Sequence, residues 1–369
     1  MFYKKRHLHQ AIKEHISRKE YTIITGARQV GKTTLLREFF REEKDEKKKA
    51  YYVSLENKDV LNAINDHPEN LFQFTERPVN PFDYEVSEAE RIIVFIDEIQ
   101  YAKDPSGFLK YLYDTYLVNL KIVATGSSAF YIDQKFRDSL AGRKRVFRLY
   151  PLNFAEYFEF IERHDLSKEL DEMRERNEYR SIKIREIYEH FNEFLIYGGY
   201  PAVVLEKGMD DKKELLLELR DSYLKRDILE SGIRNDLGFI NFMSLLAAQT
   251  GNLVNKNEIS NTLHIHNNTI DHYLQTLEKC FHISLVKPFY KNLRKELTRM
   301  PKVYFHDLGL RNALLNRFYP LKTRDDKGTI LENYAYLRLL DKYSSEAIRF
   351  WRTADGHEID FVVAPDYEN

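Results

Sequence analysis

The sequence predicts an α/β fold: a parallel β-sheet core in the first third, then a largely helical region and a short mixed α+β tail. In the first third, brief apolar runs rich in Ile and Val alternate with amphipathic stretches of helical spacing. That alternation is typical of a parallel sheet covered by helices on both faces. After Asn153, mixed charge and apolar residues at helical spacing replace the strand-like runs, which predicts amphipathic helices.

The predicted core contains four buried strands, at residues 21–25, 50–55, 92–96 and 121–124. Each run is brief and bounded by polar residues, as strands buried on both faces are. Helical spacing predicts helices at residues 33–40 and 105–117. The charge run at residues 41–49 is interpreted as a solvated helix end and loop.

Composition excludes several classes of protein. The 369 residues suit two or three domains, and 43% hydrophobic with 31% charged residues indicates a folded chain. Lys and Arg total 57 against 58 Asp and Glu, which excludes a uniformly basic nucleic-acid coat but leaves room for a local basic patch. A single cysteine, Cys280, excludes a disulfide scaffold or zinc ribbon. No signal peptide or membrane-spanning run is found, so we expect a cytoplasmic protein without membrane association.

Residues 26–33, GARQVGKT, fit the phosphate-binding pattern G-x-x-x-x-G-K-[ST], with a predicted strand before them and a predicted helix after them. In such a loop, backbone N–H groups at a helix N-terminus face the phosphates. We expect Lys32 to reach the β- and γ-phosphates and the hydroxyl of Thr33 to ligate Mg²⁺. A structural Gly-rich turn would not explain this lysine and threonine together. The predicted nucleotide-binding residues are Gly26, Ala27, Arg28, Gln29, Val30, Gly31, Lys32, Thr33 and Thr34.

The apolar run at residues 92–96 ends in two carboxylates, Asp97 and Glu98. Asp97 is expected to hold Mg²⁺, as a Walker B aspartate does. Glu98 is placed to orient or deprotonate the attacking water, which predicts hydrolysis and not binding alone. The expected cofactors are therefore ATP and Mg²⁺. The Asn-Lys-x-Asp pattern by which GTPases recognise guanine is missing. This absence argues against guanine as the base of the nucleotide and is weaker evidence that the base is adenine.

Two further residues are candidates for the catalytic site. Ser127 follows the predicted strand at residues 121–124, where a polar residue could sense the γ-phosphate or the water; Ser128 is nearly as good a candidate, and a plain turn serine is the alternative. Arg143 is the candidate arginine finger, from the same or a neighbouring subunit, ahead of Arg145. The alternatives for Arg143 are a nucleic-acid phosphate contact and a solvated basic turn.

In the second half, residues 239–248, 256–263 and 268–279 are predicted as helices, and residues 281–287 and 302–305 as two strands. This order predicts a winged helix. A polar helix face beside a basic wing can meet base edges and DNA phosphates, although winged helices also bind proteins. The predicted DNA-contact residues are Asn268, His272, Gln275, Lys279, Arg294, Lys295 and Arg299.

The tail places Glu332 on a predicted helix and Asp360 on the second strand of a predicted hairpin. This pair resembles the start of a restriction-endonuclease-like core. Such a core also needs Glu-x-Lys or Gln-x-Lys on the next strand, and the nine residues after Asp360 contain no lysine. We therefore expect no nuclease activity and interpret the tail as truncated or degenerate.

Several strings together resemble a large bacterial and archaeal group of AAA-type ATPases: GARQVGKTT, VFIDEIQYA, ATGSSAF, AGRKRVFRLYPLNFAEYF, YGGYPAVV, YLKRDI, PKVYFHDLGLRNAL and RTADGHEIDFVV. Members of that group join a P-loop core to a C-terminal domain of unknown function with a winged helix and a restriction-endonuclease-like fold. The resemblance implies Walker A roles for Lys32 and Thr33, Walker B roles for Asp97 and Glu98, and a sensor role for Ser127. Arg143 matches a recurrent Gly-Arg.

The sequence therefore predicts a P-loop NTPase of AAA type at residues 1–195, a helical and winged-helix domain at 196–320, and a partial endonuclease-like tail at 321–369. The expected function is ATP binding and hydrolysis on or near double-stranded DNA. The alternative is a nucleotide-controlled switch whose C-terminal half binds another protein. Whether the chain forms a homo-oligomer is left open.

Overall fold

The structure, a computed structural model, describes residues 3–46, 48–79, 90–126, 140–176, 178–233, 235–290, 299–353 and 355–364. It divides into two compact units, Met1–Tyr150 and Pro151–Asn369. The sequence pattern places the first domain boundary between residues 195 and 196 instead, and the finer division at residue 320 stays a prediction.

The first unit is a parallel sheet with helices, which confirms the predicted α/β class. Its strands follow the order β2-β3-β4-β1-β5, and every pairing is parallel. The elements in chain order are α1 (Leu8–Ile16), β1 (Tyr21–Thr25), α2 (Lys32–Asp45), β2 (Ala50–Ser54), α3 (Lys58–Asp66), β3 (Ile92–Asp97), α4 (Pro105–Tyr116), β4 (Leu120–Gly126) and β5 (Lys144–Arg148).

The three central strands, β1, β3 and β4, are buried along their whole length. Both faces of these strands are covered, so they are apolar without alternation, as expected from the sequence. Because all strands run in the same direction, the carboxyl ends of β1, β3 and β4 meet at one edge of the sheet. The loop at residues 26–31 leaves β1 at that edge.

β5 is a strand that the sequence pattern does not predict. It lies at the edge of the sheet beside β1, with Tyr21 opposite Lys144 and Thr25 opposite Arg148. Within β5, Phe147 is buried while Arg145, Val146 and Arg148 are exposed. Charged side chains are common on edge strands. In β5 they interrupt the run of apolar residues from which the other strands are predicted.

Buried cations fix the chain that follows α1. The ammonium group of Lys121, on β4, donates to the carbonyl oxygens of His15 at 2.9 Å, Arg18 at 3.2 Å and Glu20. Arg91 adds hydrogen bonds to the carbonyls of Ser17 at 3.0 Å and Arg18 at 2.7 Å. These donors satisfy one carbonyl group in the last turn of α1 and three in the chain just after it, so the end of α1 is tied to the sheet.

The second unit is mostly helical and carries two antiparallel strand pairs, β6–β7 and β8–β9. Its elements in chain order are α5 (Phe154–Phe160), α6 (His164–Glu175), α7 (Ile184–Tyr197), α8 (Pro201–Leu205), α9 (Met209–Ser231), α10 (Asp236–Ala248), α11 (Lys256–Leu263), α12 (Asn267–Lys279), β6 (Ile283–Val286), β7 (Lys302–Phe305), α13 (Leu308–Leu315), α14 (Lys327–Leu340), β8 (Ile348–Arg352) and β9 (Glu358–Val363).

The glycine pair after α7 is buried and does not form an exposed linker. A Cβ atom on Gly199 would overlap the carbonyl oxygen of Leu152, and Leu152 N donates to Gly199 O at 2.7 Å. The carboxylate of Asp307 accepts hydrogen bonds from the backbone N–H groups of Gly199 and Leu310, each at 2.7 Å. Burial raises the pKa of Asp307 to about 6. Close backbone approach, and not chain flexibility, requires these glycines.

α13 is locked against the end of α7 by the same network. The side-chain amide of Asn312 donates to the carbonyls of Leu195 at 3.0 Å and Ile196 at 2.8 Å. A Cβ atom on Gly309 would overlap the carbonyl oxygen of Tyr197. The strings YGGYP and HDLGLRN, far apart in sequence, are therefore two sides of one buried contact.

We predict that Gly309→Ala lowers the free energy of unfolding by about 1–3 kcal/mol, because its new methyl group overlaps the backbone of α7. Helix propensity alone would favour alanine by about 1 kcal/mol, so the overlap must outweigh that gain. The control is Gly328→Ala in α14, where a Cβ atom meets nothing within 4 Å. Chemical denaturation followed by circular dichroism should show the destabilisation only for Gly309→Ala. Equal stability of the two variants would contradict the close contact.

Candidate functional site

The loop at residues 26–31 forms a backbone cradle at the start of α2. Gln29 and Gly31 have positive φ angles of 56° and 95°, and left-handed residues that alternate with right-handed ones turn backbone N–H groups toward one point. Among the described residues, no side chain caps the N-terminus of α2. The first N–H groups of α2 therefore remain available to an anion, which the helix dipole also favours. Gly26 is held by close packing, since a Cβ atom there would overlap the carbonyl oxygen of Leu149.

Lys32 points back into this cradle. Its ammonium group donates to the carbonyl oxygens of Gly26 at 3.0 Å and Ala27 at 2.7 Å, and the residue is 5% exposed. Burial lowers the pKa of Lys32 to about 8, while the charge of Glu98 opposes that shift. A phosphate brought into the loop would supply the negative charge that this buried cation lacks.

Asp97 is buried at the end of β3, where three hydroxyl groups donate to its carboxylate. Thr33, from α2, lies 3.1 Å from Oδ1, and Thr125, from β4, donates to the same oxygen. Tyr52, from β2, donates to Oδ2 at 2.8 Å. Burial raises the pKa of Tyr52 to about 12, so its hydroxyl remains a donor at neutral pH.

Glu98 has a left-handed backbone, with φ 59° and ψ 49°, which turns the chain sharply out of β3. Its N–H donates to the hydroxyl oxygen of Thr125 at 3.1 Å. Its carboxylate accepts a hydrogen bond from the side-chain amide of Gln100, which is 5% exposed. The half-buried carboxylate of Glu98 is thereby held beside the loop, near enough to influence Lys32 electrostatically.

These residues fit a nucleotide with a divalent cation. The uncapped helix N-terminus and the buried ammonium of Lys32 suit the phosphates. Hydroxyl and carboxylate oxygens, as on Thr33 and Asp97, are the ligands that Mg²⁺ prefers, and these two side chains already touch.

The structure brings Lys32, Thr33, Asp97 and Glu98 together, as the sequence predicts, but it adds three residues that sequence reasoning missed. Tyr52, Thr125 and Gln100 are the added residues. The tyrosine and the threonine reach Asp97 only because neighbouring strands place them there, and no pattern distinguishes Gln100 from the rest of the chain after the two carboxylates. Ser127 and Ser128 lie outside the described residues, so their predicted roles stay predictions.

Arg143 lies near the amino ends of the parallel strands, whereas the loop and Asp97 lie at their carboxyl ends. It directly precedes β5, its carbonyl accepts from Tyr21 N at 2.8 Å, and its guanidinium pairs with Asp114 at 2.7 Å. β1 separates Tyr21 from the loop, and five extended residues cover about 15 Å. Arg143 is therefore not among the groups gathered at Asp97. Its role at a neighbouring subunit stays a prediction.

The residues predicted to contact DNA are only partly described by the structure. Arg294 and Lys295 lie outside the described residues. The side chains of Asn268, Gln275 and Arg299 are exposed, and those of His272 and Lys279 are half-buried.

A groove of about 660 Å³ lies between α11, α12 and β6 in the second unit, and Gln275 and Arg299 line it. Asp271, in the same groove, pairs with Lys256 at 2.6 Å. The predicted order of three helices followed by two paired strands is present, while its assignment as a DNA-binding winged helix stays a prediction.

The carboxylates of Glu332 and Asp360 both contact the ammonium group of Lys302. Lys302, at the start of β7, places its ammonium 3.1 Å from Glu332 and 3.4 Å from Asp360, and it also contacts Glu358. The structure therefore brings Glu332 and Asp360 together, but around a protein cation. Within the described ranges, no group of three or more His, Cys, Asp or Glu side chains is arranged to hold a metal ion. None of the helices in the same ranges has the length and apolar character needed to cross a membrane.

Comparison with known proteins agrees with this geometry. Residues 18–158 match the family model described as an AAA domain, and residues 188–320 match a domain of unknown function. With its cradle between β1 and α2 and its five-stranded parallel sheet, the first unit has the α/β fold of a P-loop NTPase core of the AAA type.

Two relatives, each described as an uncharacterized protein, are similar over most of this chain. A protein of Methanocaldococcus jannaschii is 26% identical over 348 residues, 92% of this chain and 71% of that protein. A protein of Haemophilus influenzae is 27% identical over 352 residues, covering 92% and 78% of the two chains.

Two solved structures are distantly similar. The ORC2 protein of Aeropyrum pernix in its ADP form has 12% identity and a TM-score of 0.43, covering 90% of this chain and 95% of that chain. AMPPCP-bound DnaA from Aquifex aeolicus has 15% identity and a TM-score of 0.33, covering 75% and 89%.

We predict that Thr125→Val destabilises the protein by about 1–3 kcal/mol. The change keeps the shape of the side chain but leaves the N–H of Glu98 without its acceptor and Asp97 without one of its donors. Thr125→Ser is the matched control, since it keeps the hydroxyl, and should cost less. Urea unfolding of the three proteins measures the difference. A valine variant as stable as the wild type would contradict the hydrogen-bonding role of this hydroxyl.

Proposed function

We propose that the chain is a Mg²⁺-dependent ATPase. One observation carries this proposal: Lys32 and Thr33, at the start of α2, converge with Asp97 and Glu98, at the end of β3. Each group has a distinct task in phosphoryl transfer, and the four come from two distant parts of the sequence.

In this proposal, Lys32 exchanges its contacts with the loop carbonyls for contacts with the β- and γ-phosphates. Thr33 and Asp97 would hold Mg²⁺, which would supply positive charge to offset the charge that develops on the phosphate oxygens. Glu98 accepts the proton of the attacking water or orients that water toward the γ-phosphate. Gln100 keeps the carboxylate of Glu98 in place until then.

We further propose that the second unit contacts double-stranded DNA. α12 presents exposed amide side chains, and Arg299 is exposed beside the same groove. Residues 287–302 contain six Lys or Arg against one acid, although Lys302 is turned into the carboxylates of the tail. Basic side chains next to a polar helix suit phosphate contacts that are independent of base sequence.

The ATPase proposal predicts different effects for two substitutions. Lys32→Ala removes the buried cation and should weaken ATP binding at least ~30-fold, the equivalent of about 2 kcal/mol. Glu98→Gln keeps the shape and the contact with Gln100, so it should bind ATP normally but hydrolyse it ~10²–10⁴-fold more slowly. Calorimetric titration measures binding, and phosphate release measures hydrolysis.

Lys110→Ala, at an exposed position of α4, is the control for the removal of one lysine and should match the wild type in both assays. Unchanged ATP affinity of Lys32→Ala would overturn the nucleotide site. Retained turnover of Glu98→Gln would overturn its role in activating water.

The DNA proposal predicts the behaviour of a triple variant in which Arg294, Lys295 and Arg299 become alanine. If these side chains touch phosphates, affinity should fall similarly for every duplex sequence. The slope of log affinity against log salt should flatten by about 0.9 for each phosphate that is no longer neutralised. Fluorescence anisotropy on a random duplex measures this slope, while ATP hydrolysis without DNA should stay near the wild-type rate.

The matched control removes three exposed lysines from elsewhere in the second unit, Lys168, Lys322 and Lys342. It lowers the charge equally and should leave the salt slope unchanged. An unchanged slope in the first variant would favour the alternative function, a nucleotide-controlled switch whose second unit binds a protein.

A further inference from the structure

Arg6 is a buried cation that lies behind the phosphate-binding loop. It is 7% exposed, and its guanidinium donates through Nη1 to the carbonyl oxygen of Val30 at 2.8 Å. Its Nη2 donates to the carbonyl oxygen of Tyr150 at 2.7 Å. Arg6 thus joins the loop to the last residue of the first unit.

The bond to Val30 determines the orientation of one peptide group in the loop. The peptide between Val30 and Gly31 is trans and planar, so its C=O and N–H point in opposite directions. Because the carbonyl of Val30 faces Arg6, the N–H of Gly31 faces away from Arg6. That N–H is one of the groups available to a phosphate at the start of α2.

The chain near Tyr150 also touches the loop independently of Arg6. Leu149 N donates to Thr25 O at 2.7 Å, and the Leu149 carbonyl packs so closely on Gly26 that a Cβ atom would not fit. Both ends of the loop therefore contact residues 149–150, one end directly and the other through Arg6. A shift of the loop cannot leave this segment unaffected.

Arg6 is held in a fixed position by the helix that follows it. The side chain of His9, in α1, lies 3.1 Å from Glu42 of α2, and Lys13 lies 2.9 Å from the same carboxylate. The end of α1 is anchored by Lys121 on β4. The segment before residue 18 lies outside the matched AAA domain, so that match assigns it no role.

We propose that Arg6 is a positioning residue that orients the Val30–Gly31 peptide for phosphate binding and links the occupancy of the loop to residues 149–150. This inference depends on the proposed ATP site and names a regulatory connection of that site. Arginine suits the task because its planar guanidinium donates to the two carbonyls from separate nitrogen atoms held in a fixed geometry.

The test compares Arg6→Gln with the wild type in two measurements on the full chain. The dissociation constant for ATP should rise about 10-fold in the variant, since a hydrogen bond from a charged group is removed. Hydrogen exchange of the peptide carrying Leu149 and Tyr150 should slow when ATP saturates the wild type. In Arg6→Gln at saturating ATP, that ATP-dependent slowing should be clearly smaller than in the wild type, because only the direct contact of Leu149 with the loop remains. General destabilisation alone would not produce this change.

Lys5→Gln is the matched control, because it removes the same charge from an exposed neighbouring position and should behave as the wild type in both measurements. Arg6→Lys provides a second variant should Arg6→Gln fold poorly, and its ATP-dependent slowing should also be smaller than that of the wild type. If the wild type does not bind ATP, the proposed function fails. If the wild type binds ATP and the Arg6 variants keep both its affinity and its exchange pattern, the positioning role is overturned.

Discussion

The buried carboxylate of Asp97 ties three elements of the first unit together. A carboxylate that is 3% exposed is costly unless it is hydrogen-bonded, and its donors come from β2, β4 and α2. This requirement fixes the register of β3 against both neighbouring strands and the point at which α2 leaves the loop. The rest of the candidate site follows, since Glu98 comes next in the chain and Thr33 comes directly after Lys32 in α2.

Much of this arrangement could be predicted from the sequence. The limits of β1 agree at both ends, because both of its faces are buried and polar residues bound it. Lys32, Thr33, Asp97 and Glu98 could be predicted because each stands at a fixed offset from a strand or helix end. Tyr52 and Thr125 could not, because their contacts depend on which strands are neighbours, and local sequence does not contain that order.

Other differences have local physical causes. α2 continues to Asp45 through charged residues that the sequence pattern assigns partly to a loop, since pairs such as Arg41 with Glu38 form along its surface. The two glycines after α7 suggest a domain boundary in the sequence because Gly-Gly-Tyr-Pro is typical of a turn. In the structure they are required by a backbone contact and a buried aspartate, Asp307, that is more than a hundred residues away. Distant contacts of this kind are not visible to a local pattern.

The contact between the glycine pair after α7 and the Asp307 segment has a consequence for how related chains are compared. These residues belong to two of the most recognisable strings of the sequence. Their role in the structure is to pack α13 against the end of α7. Shared YGGYP and HDLGLRN strings would identify chains of the same architecture without indicating a common ligand. Differences in what such proteins recognise should be sought at exposed positions, such as those that line the groove beside α12, where a substitution leaves the packing of the helices unchanged.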